Sequence, residues 1–95
     1  MKLIKVIPSD VKEKRLSAFF VVDGKGKKVN FGLKGGSTYI DHKDKDKRDA
    51  YIARHRVREN FDDPLTAGAL SKWLLWGPHT TLRENLSFFK KKFNL

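Results

Sequence analysis

The spacing of the apolar residues changes once along the chain, near residue 41, and this change limits the folds that are available. Before that point the apolar residues come in short runs or alternate with polar ones, which is typical of β-strands. After it they recur every three or four positions, which is typical of amphipathic helices. Strands that precede helices indicate an α+β fold, in which the helices pack on one face of a small antiparallel sheet.

The first half of the chain predicts three strands. Residues 3–7 form a short apolar run before a proline, which suits an edge strand. Residues 16–22, LSAFFVV, are apolar on both faces and predict a central strand. An Asp-Gly-Lys-Gly turn then leads into residues 28–33, where apolar and polar residues alternate. The apolar side of this third strand is expected to consist of Val29, Phe31 and Leu33. Residues 37–41 are expected to form a fourth short strand or a loop.

The second half predicts three helices. Asp44 or Asp46 can cap a first helix that runs to about Asn60. Thr66 can cap a second, short helix, and Thr81 can open a third through a capping box with the glutamate at position 84. The stripe of the first helix that is expected to face the core consists of Ala50, Ala53, Val57 and Phe61. The prediction is therefore a sheet of three or four strands followed by three helices packed on one face.

The length of 95 residues is that of a single domain, divided here into a strand-rich half, 1–41, and a helical half, 42–95. A domain of this size has one modest core and no room for a large interior cofactor cavity. Because the chain contains no cysteine, it can form neither disulfides nor thiolate metal sites. We expect no secretory leader, and the longest apolar runs are too short to cross a bilayer.

Charge is the strongest indication of function. The 21 Lys and Arg residues outnumber the 11 Asp and Glu residues, which gives a formal net charge of +10. Such an excess favours a polyanionic partner, whether nucleic acid, an acidic protein or anionic lipid. A soluble basic protein without such a partner is the alternative.

One segment, residues 35–60, concentrates histidine, aspartate and basic residues, and it suggests three different roles. The first role is metal-dependent nuclease chemistry by the set His42, Asp44, Asp46, Asp49 and His55. The spacing argues against that role, because the aspartates point in divergent directions on a helix and alternate with lysines. We therefore predict that the protein is not an enzyme and has no catalytic residue, metal site or cofactor.

The second role is a cationic surface. In helical projection, four basic residues, one tyrosine and one histidine share a flank that adjoins the buried stripe. Arginine on such a flank can bind phosphate through paired hydrogen bonds, and a tyrosine ring can stack on a base. We predict that the nucleic-acid contacts are Lys47, Arg48, Tyr51, Arg54, His55, Arg56 and Arg58. The third role is structural, with Tyr51 and His55 packed over the sheet.

Two tryptophans stand three positions apart, at 73 and 76, and therefore lie on adjoining helical faces. We expect one of them to be part of the core. The other is expected to be exposed and to serve as a contact for a protein partner.

The stretch from Phe31 to Trp76 resembles a family of short basic proteins encoded by large nucleocytoplasmic DNA viruses of eukaryotes. The resemblance rests on these features in order: FG with a Gly-Ser turn, Tyr39, His42, Lys-Asp-Lys with Arg48, YIARH, Glu59-Asn60, TAG, Ser71 and LLW. It covers about half of the chain. It implies a viral gene product that works in the virion or in the cytoplasm or nucleus of the infected cell, and it implies no catalytic residue.

These observations together predict a small viral protein that binds nucleic acid non-specifically through phosphate contacts, with DNA favoured over RNA. The alternative is a virion structural or interaction protein that docks on an acidic capsid, core or host protein.

Overall fold

The structure, a computed structural model, describes residues 1–95 and has the predicted α+β fold. Its elements are β1 Lys2–Pro8, β2 Lys14–Val22, β3 Lys25–Leu33, α1 Tyr39–His42, α2 Lys45–His55, α3 Ala67–Leu70 and α4 Leu82–Lys92. A π turn, Ser71–Leu75, continues α3 without a break. The strands form one antiparallel sheet in the order β1-β2-β3, so the prediction of a central β2 and an edge β1 is confirmed.

The β2–β3 hairpin follows from its turn sequence. Val22 pairs with Lys25, which leaves a two-residue loop of Asp23 and Gly24. Both loop residues have positive φ, 51° and 78°, as in the tight turns that match the twist of neighbouring strands.

One core joins the sheet to the helices. It consists of Leu3, Leu16, Ala18, Phe20 and Phe31 from the strands, Leu70, Leu74 and Leu75 from α3 and the π turn, and Phe89 from α4. Because these side chains lie on one face of the sheet, the helices cover that face. The opposite face, which includes Phe19, carries no helix.

The alternation predicted for β3 fails at its end. Leu33 is 68% exposed, whereas Val29 is half-buried and Phe31 is buried. The reason is Gly32, whose φ of 77° turns the strand away from its regular pleat. A side chain at Gly32 would also meet Leu75 Cδ1 at 2.9 Å and Arg15 Cβ at 3.1 Å, so the sheet and the π turn approach each other closely there.

Residues 39–42 form a one-turn helix, α1, instead of a fourth strand or a loop. The Asp41 carboxylate accepts hydrogen bonds from the backbone N–H and the hydroxyl of Thr38, both at 2.8 Å. It also accepts two parallel hydrogen bonds from Arg15 on β2, at 2.7 and 2.8 Å. These bonds hold the pKa of Asp41 well below its usual range and fix the chain as it leaves the sheet.

Helix α2 ends at His55, five residues before the predicted end, and it buries a different side from the one predicted. Ala50 and Ala53 are exposed, and Val57 lies beyond the helix and is 76% exposed. The side that packs inward consists of Arg48, Tyr51, Ile52 and His55. Tyr51 and Ile52 bury far more apolar area than two alanines, and this difference outweighs the alanine stripe.

The π turn places the two tryptophans. The Trp76 N–H donates to the Ser71 carbonyl, five residues back, at 3.1 Å. Trp73 donates from Nε1 to the Phe61 carbonyl at 2.7 Å. Both rings are half-buried, so the prediction that one would be exposed for a partner is wrong. No helix has both the length and the apolar character needed to span a membrane.

Candidate functional site

Aromatic rings from three elements form a column beside the core. His55 and Tyr51 of α2 stack with centroids 4.2 Å apart, and Tyr51 lies parallel to Trp76 at 4.2 Å and 3°. His42 of α1 follows at 5.3 Å from Trp76, tilted by 60°. We call these four rings the aromatic column. It fastens α1 and α2 to the end of the π turn, because stacked aromatic pairs contribute beyond the area that they bury.

His42 and Asp44 have structural tasks that account for their spacing. His42 Nδ1 accepts a hydrogen bond from the Asp44 N–H at 2.9 Å, so the proton of the neutral ring is on Nε2. Asp44 Oδ1 accepts from the N–H groups of Asp46 and Lys47 and caps α2, as predicted for Asp44. No three His, Asp or Glu side chains are placed to share a metal ion.

Arg48 is directed into the protein. Its Nε donates to the carbonyls of Trp76 and Gly77, at 3.0 and 2.9 Å, and its guanidinium lies 5.6 Å from the Tyr39 ring centroid. Its side chain is only 18% exposed. A cation at the C-terminal end of a helical segment also complements the partial negative charge of the free carbonyls there. The structure thus gives Arg48 a clamping role.

The fully buried Asn85 of α4 holds the same segment from the other side. Its amide donates to the carbonyls of Leu74 and His79, both at 3.0 Å, and its Oδ1 accepts from the His79 N–H at 2.8 Å. Gly77 fits between these partners because it has no side chain: a Cβ there would overlap the Trp73 carbonyl oxygen.

A cleft of about 480 Å³ opens where the end of β3 meets α2 and α3. Its floor includes Tyr51, Trp76 and Leu75, and its walls carry polar and charged side chains, among them Lys14, Ser37, Arg54, His55, Glu59 and Ser71. Burial, together with the negative charge of Glu59, raises the pKa of Tyr51 to about 12. The Tyr51 hydroxyl is therefore protonated at physiological pH.

The remaining predicted cations are free. Of the 21 Lys and Arg side chains, only Arg15, Lys28 and Arg48 lie within 4.0 Å of a carboxylate. Lys47, Arg54, Arg56 and Arg58 are exposed and form no such pair. Arg54, His55 and Arg58 line one depression of about 490 Å³ together with Val57 and Glu59, and Arg54 also borders the cleft.

The structure therefore divides the seven predicted contacts into two groups. Arg48 and Tyr51 are used for internal packing. His55 belongs to the aromatic column and also lines both the cleft and the depression. Lys47, Arg54, Arg56 and Arg58 stay available to an outside anion. Lys14 of β2 joins Arg54 at the cleft. This pairing could not be predicted from local sequence patterns, because the two residues are 40 positions apart.

A second cationic feature lies at Trp73. Lys72 Nζ sits 3.1 Å from one Trp73 ring centroid, and Lys92 Nζ lies 4.7 Å from it. Burial, with the nearby charges of Arg48 and Lys92, lowers the pKa of Lys72 to about 8. The ring faces of Trp73 are thereby occupied by the protein's own side chains.

Comparison with known proteins gives two matches. Residues 4–55 match a family of unknown function, DUF5754. An uncharacterized protein of Acanthamoeba polyphaga mimivirus is 36% identical over 80 residues, which cover 77% of this chain and 80% of the viral protein. No solved structure matches.

The family match differs in extent from the resemblance seen in the sequence. It includes β1 and β2, where we recognised no signature, and it ends with α2, before the TAG and LLW motifs. The expectation of a viral relative is confirmed by the mimivirus protein. The chain therefore belongs to DUF5754, a family of unknown function.

Proposed function

We propose that the protein binds nucleic acid without sequence preference, through contacts to phosphates, and that duplex DNA is its preferred partner. The observation that carries this proposal is the exposed, unpaired pair of arginines, Arg54 and Arg58, which line one depression together with Glu59. A guanidinium that has no carboxylate partner can offer paired hydrogen bonds to a phosphate.

The arrangement of the exposed cations favours contacts with the phosphate backbone of nucleic acid over recognition of its bases. Lys47 and Arg54 are seven residues apart on α2, two helical turns along the same face, and Arg58 follows in the turn after the helix. Helix α2 has only 11 residues, and its inner side forms part of the aromatic column. Its outer side is left to the cations, which can follow a phosphate backbone along the protein surface. Arg56, the C-cap of α2, is also exposed, but it is two positions from Arg54 and therefore lies on another side of the helix.

The similarity to a mimivirus protein suggests where this nucleic-acid binding takes place. We propose that the protein belongs to a large DNA virus and acts on nucleic acid in the virion or in the cytoplasm or nucleus of the infected cell. A net charge of +10 on 95 residues suits a protein that neutralises a polyanion.

The test is a titration of a random-sequence DNA duplex at about 50 and 200 mM salt. If Lys47, Arg54 and Arg58 each neutralise one phosphate, log K falls with log salt with a slope of about −2.7, so this salt increase weakens binding about 40-fold. Substituting Arg54→Ala and Arg58→Ala together should reduce the slope by about 1.8 and weaken all sequences equally.

The matched control removes two charges elsewhere. Lys25→Ala with Lys27→Ala lowers the net charge equally, at the opposite end of β3. Gly32 at the cleft is seven positions along the strand from Lys25, a distance of about 23 Å. The proposal fails if the two double variants bind equally well, or if wild-type affinity does not change with salt. Binding to an acidic protein in place of DNA would instead support the role of a virion interaction protein.

A further inference from the structure

We infer that the helix-free face of the sheet is a second binding site, for single-stranded nucleic acid, with an unpaired base stacked on Phe19. This site goes beyond the proposed function, because it uses other residues, another face of the molecule and another form of nucleic acid.

The strand register places the site. On the central strand, Phe19 pairs with Lys5 of β1 and with Lys28 of β3, so a lysine lies on each side of the ring. Its neighbour Phe20 is 1% exposed and faces the core, so Phe19 faces away from it. One row across the open face is therefore lysine, phenylalanine and lysine.

The two lysines are directed toward the ring. Lys5 Nζ lies 5.0 Å from the Phe19 centroid, and Lys28 Nζ lies 5.7 Å from it. Lys28 is also bonded to Asp10 at 2.8 Å, which holds the pKa of Asp10 below its usual value. Lys5 has no carboxylate partner. With their flexible stems, lysines beside an aromatic ring can move to the phosphates that flank a stacked base.

Apolar side chains enlarge the surface around this row. Val21 and Ile7, the outward-facing β2 and β1 residues beside the row, are 36% and 39% exposed. Lys2, the partner of Val21, adds another exposed cation to the same face. Phe19 itself is half-buried, and an apolar surface with a basic margin, left uncovered by the helices, is typical of an interaction site.

Charge decides which partner fits. A second copy of this chain would bring Lys2, Lys5 and Lys28 against the same lysines, and like charges oppose such pairing. The partner must therefore be anionic. Among nucleic acids, a duplex hides the faces of its bases within the stack, whereas a single strand offers both base faces and phosphates.

The test compares Phe19→Leu with Phe19→Trp. Leucine keeps the apolar contact with the sheet but removes the ring, and tryptophan keeps an aromatic face. The probes are a fluorescent oligothymidine of about 16 nucleotides, the upper end of the site size for small single-strand-binding domains, and a duplex of the same length. Thermal melting of each variant establishes that it is folded.

The expected result is that Phe19→Leu weakens oligothymidine binding on the order of tenfold, the effect of losing one base stack. Phe19→Trp retains it, and neither variant changes duplex affinity by more than about twofold, since phosphate contacts dominate there. Substitution of Arg54 and Arg58 should weaken duplex binding far more than oligothymidine binding.

Two results would overturn the inference: oligothymidine affinity that is unchanged in Phe19→Leu, or an equal loss of affinity for both probes. Neither result bears on the proposed function, which depends on the response of duplex binding to Arg54→Ala with Arg58→Ala. The two ideas can therefore fail separately.

Discussion

Replacement of Arg48 by alanine should destabilise the fold and leave the nucleic-acid surface intact. The substitution removes the single Nε–H, which is shared between the carbonyls of Trp76 and Gly77, and a hydrogen bond from a charged donor contributes about 1.5–3 kcal/mol. Trp76 is only half-buried, so water can partly replace the lost donor. We therefore expect the free energy of unfolding to fall by about 1–3 kcal/mol.

Urea unfolding followed by tryptophan fluorescence measures this change, because Trp76 lies in the segment that Arg48 clamps. The matched control is Arg54→Ala, which removes the same charge from the same helix. Since Arg54 is exposed and unpaired, its loss should change the free energy of unfolding by less than about 0.5 kcal/mol. Conversely, folded Arg48→Ala should bind duplex DNA like the wild type, and Arg54→Ala should not.

Equal stability of the two variants would refute the clamping role of Arg48. So would a loss of DNA affinity in folded Arg48→Ala as large as that in Arg54→Ala, because Arg48 would then be a phosphate contact.

Two further predictions concern the loop after β3 and the end of the π turn. Asp41 has a lowered pKa because Arg15 and Thr38 donate to it, so the folded state binds fewer protons than an unfolded chain with a carboxyl pKa of about 3.9. Its stabilising contribution is complete above about pH 5, begins to fall near the unfolded carboxyl pKa of about 3.9, and is lost as the pH falls further toward the lowered pKa of folded Asp41. Unfolding measured from pH 6 to pH 2 should therefore depend less on pH in Asp41→Asn than in the wild type; identical profiles would contradict this. Gly77→Ala should lower the free energy of unfolding by about 2–3 kcal/mol, because the new methyl overlaps the Trp73 carbonyl and comes within 2.7 Å of Asn85 Cγ. Gly26→Ala is its control, since a Cβ there meets nothing within 4 Å, and a comparable loss in that variant would argue against the steric cause.

Most of the fold could be predicted from local patterns. The hairpin follows from Asp23-Gly24, the caps at Asp44, Thr66 and Thr81 begin their helices as expected, and the two-sided apolar run of β2 marks it as central. These features depend on residues that are close in sequence, and pattern analysis detects such features well.

The orientation of α2 could not be predicted, since it depends on what the helix meets. Helical projection predicted that the alanine stripe faces the core and that the flank with Arg48 and Tyr51 lies beside it. The choice between them is made by Trp76 and by the free carbonyls after it, 25 or more residues further along the chain. Nothing in the local sequence shows that a π turn will present that ring and those carbonyls to α2.

The π turn can be regarded as a single extra residue accommodated within a helix. The Trp76 N–H already donates to the Ser71 carbonyl, so deleting one residue between them would turn this bond into an ordinary α-helical one. Trp76 would stay one turn beyond Ser71 and would keep its place against Tyr51 and His42. The turn can thus lose one residue and still hold α1 and α2 to the rest of the molecule.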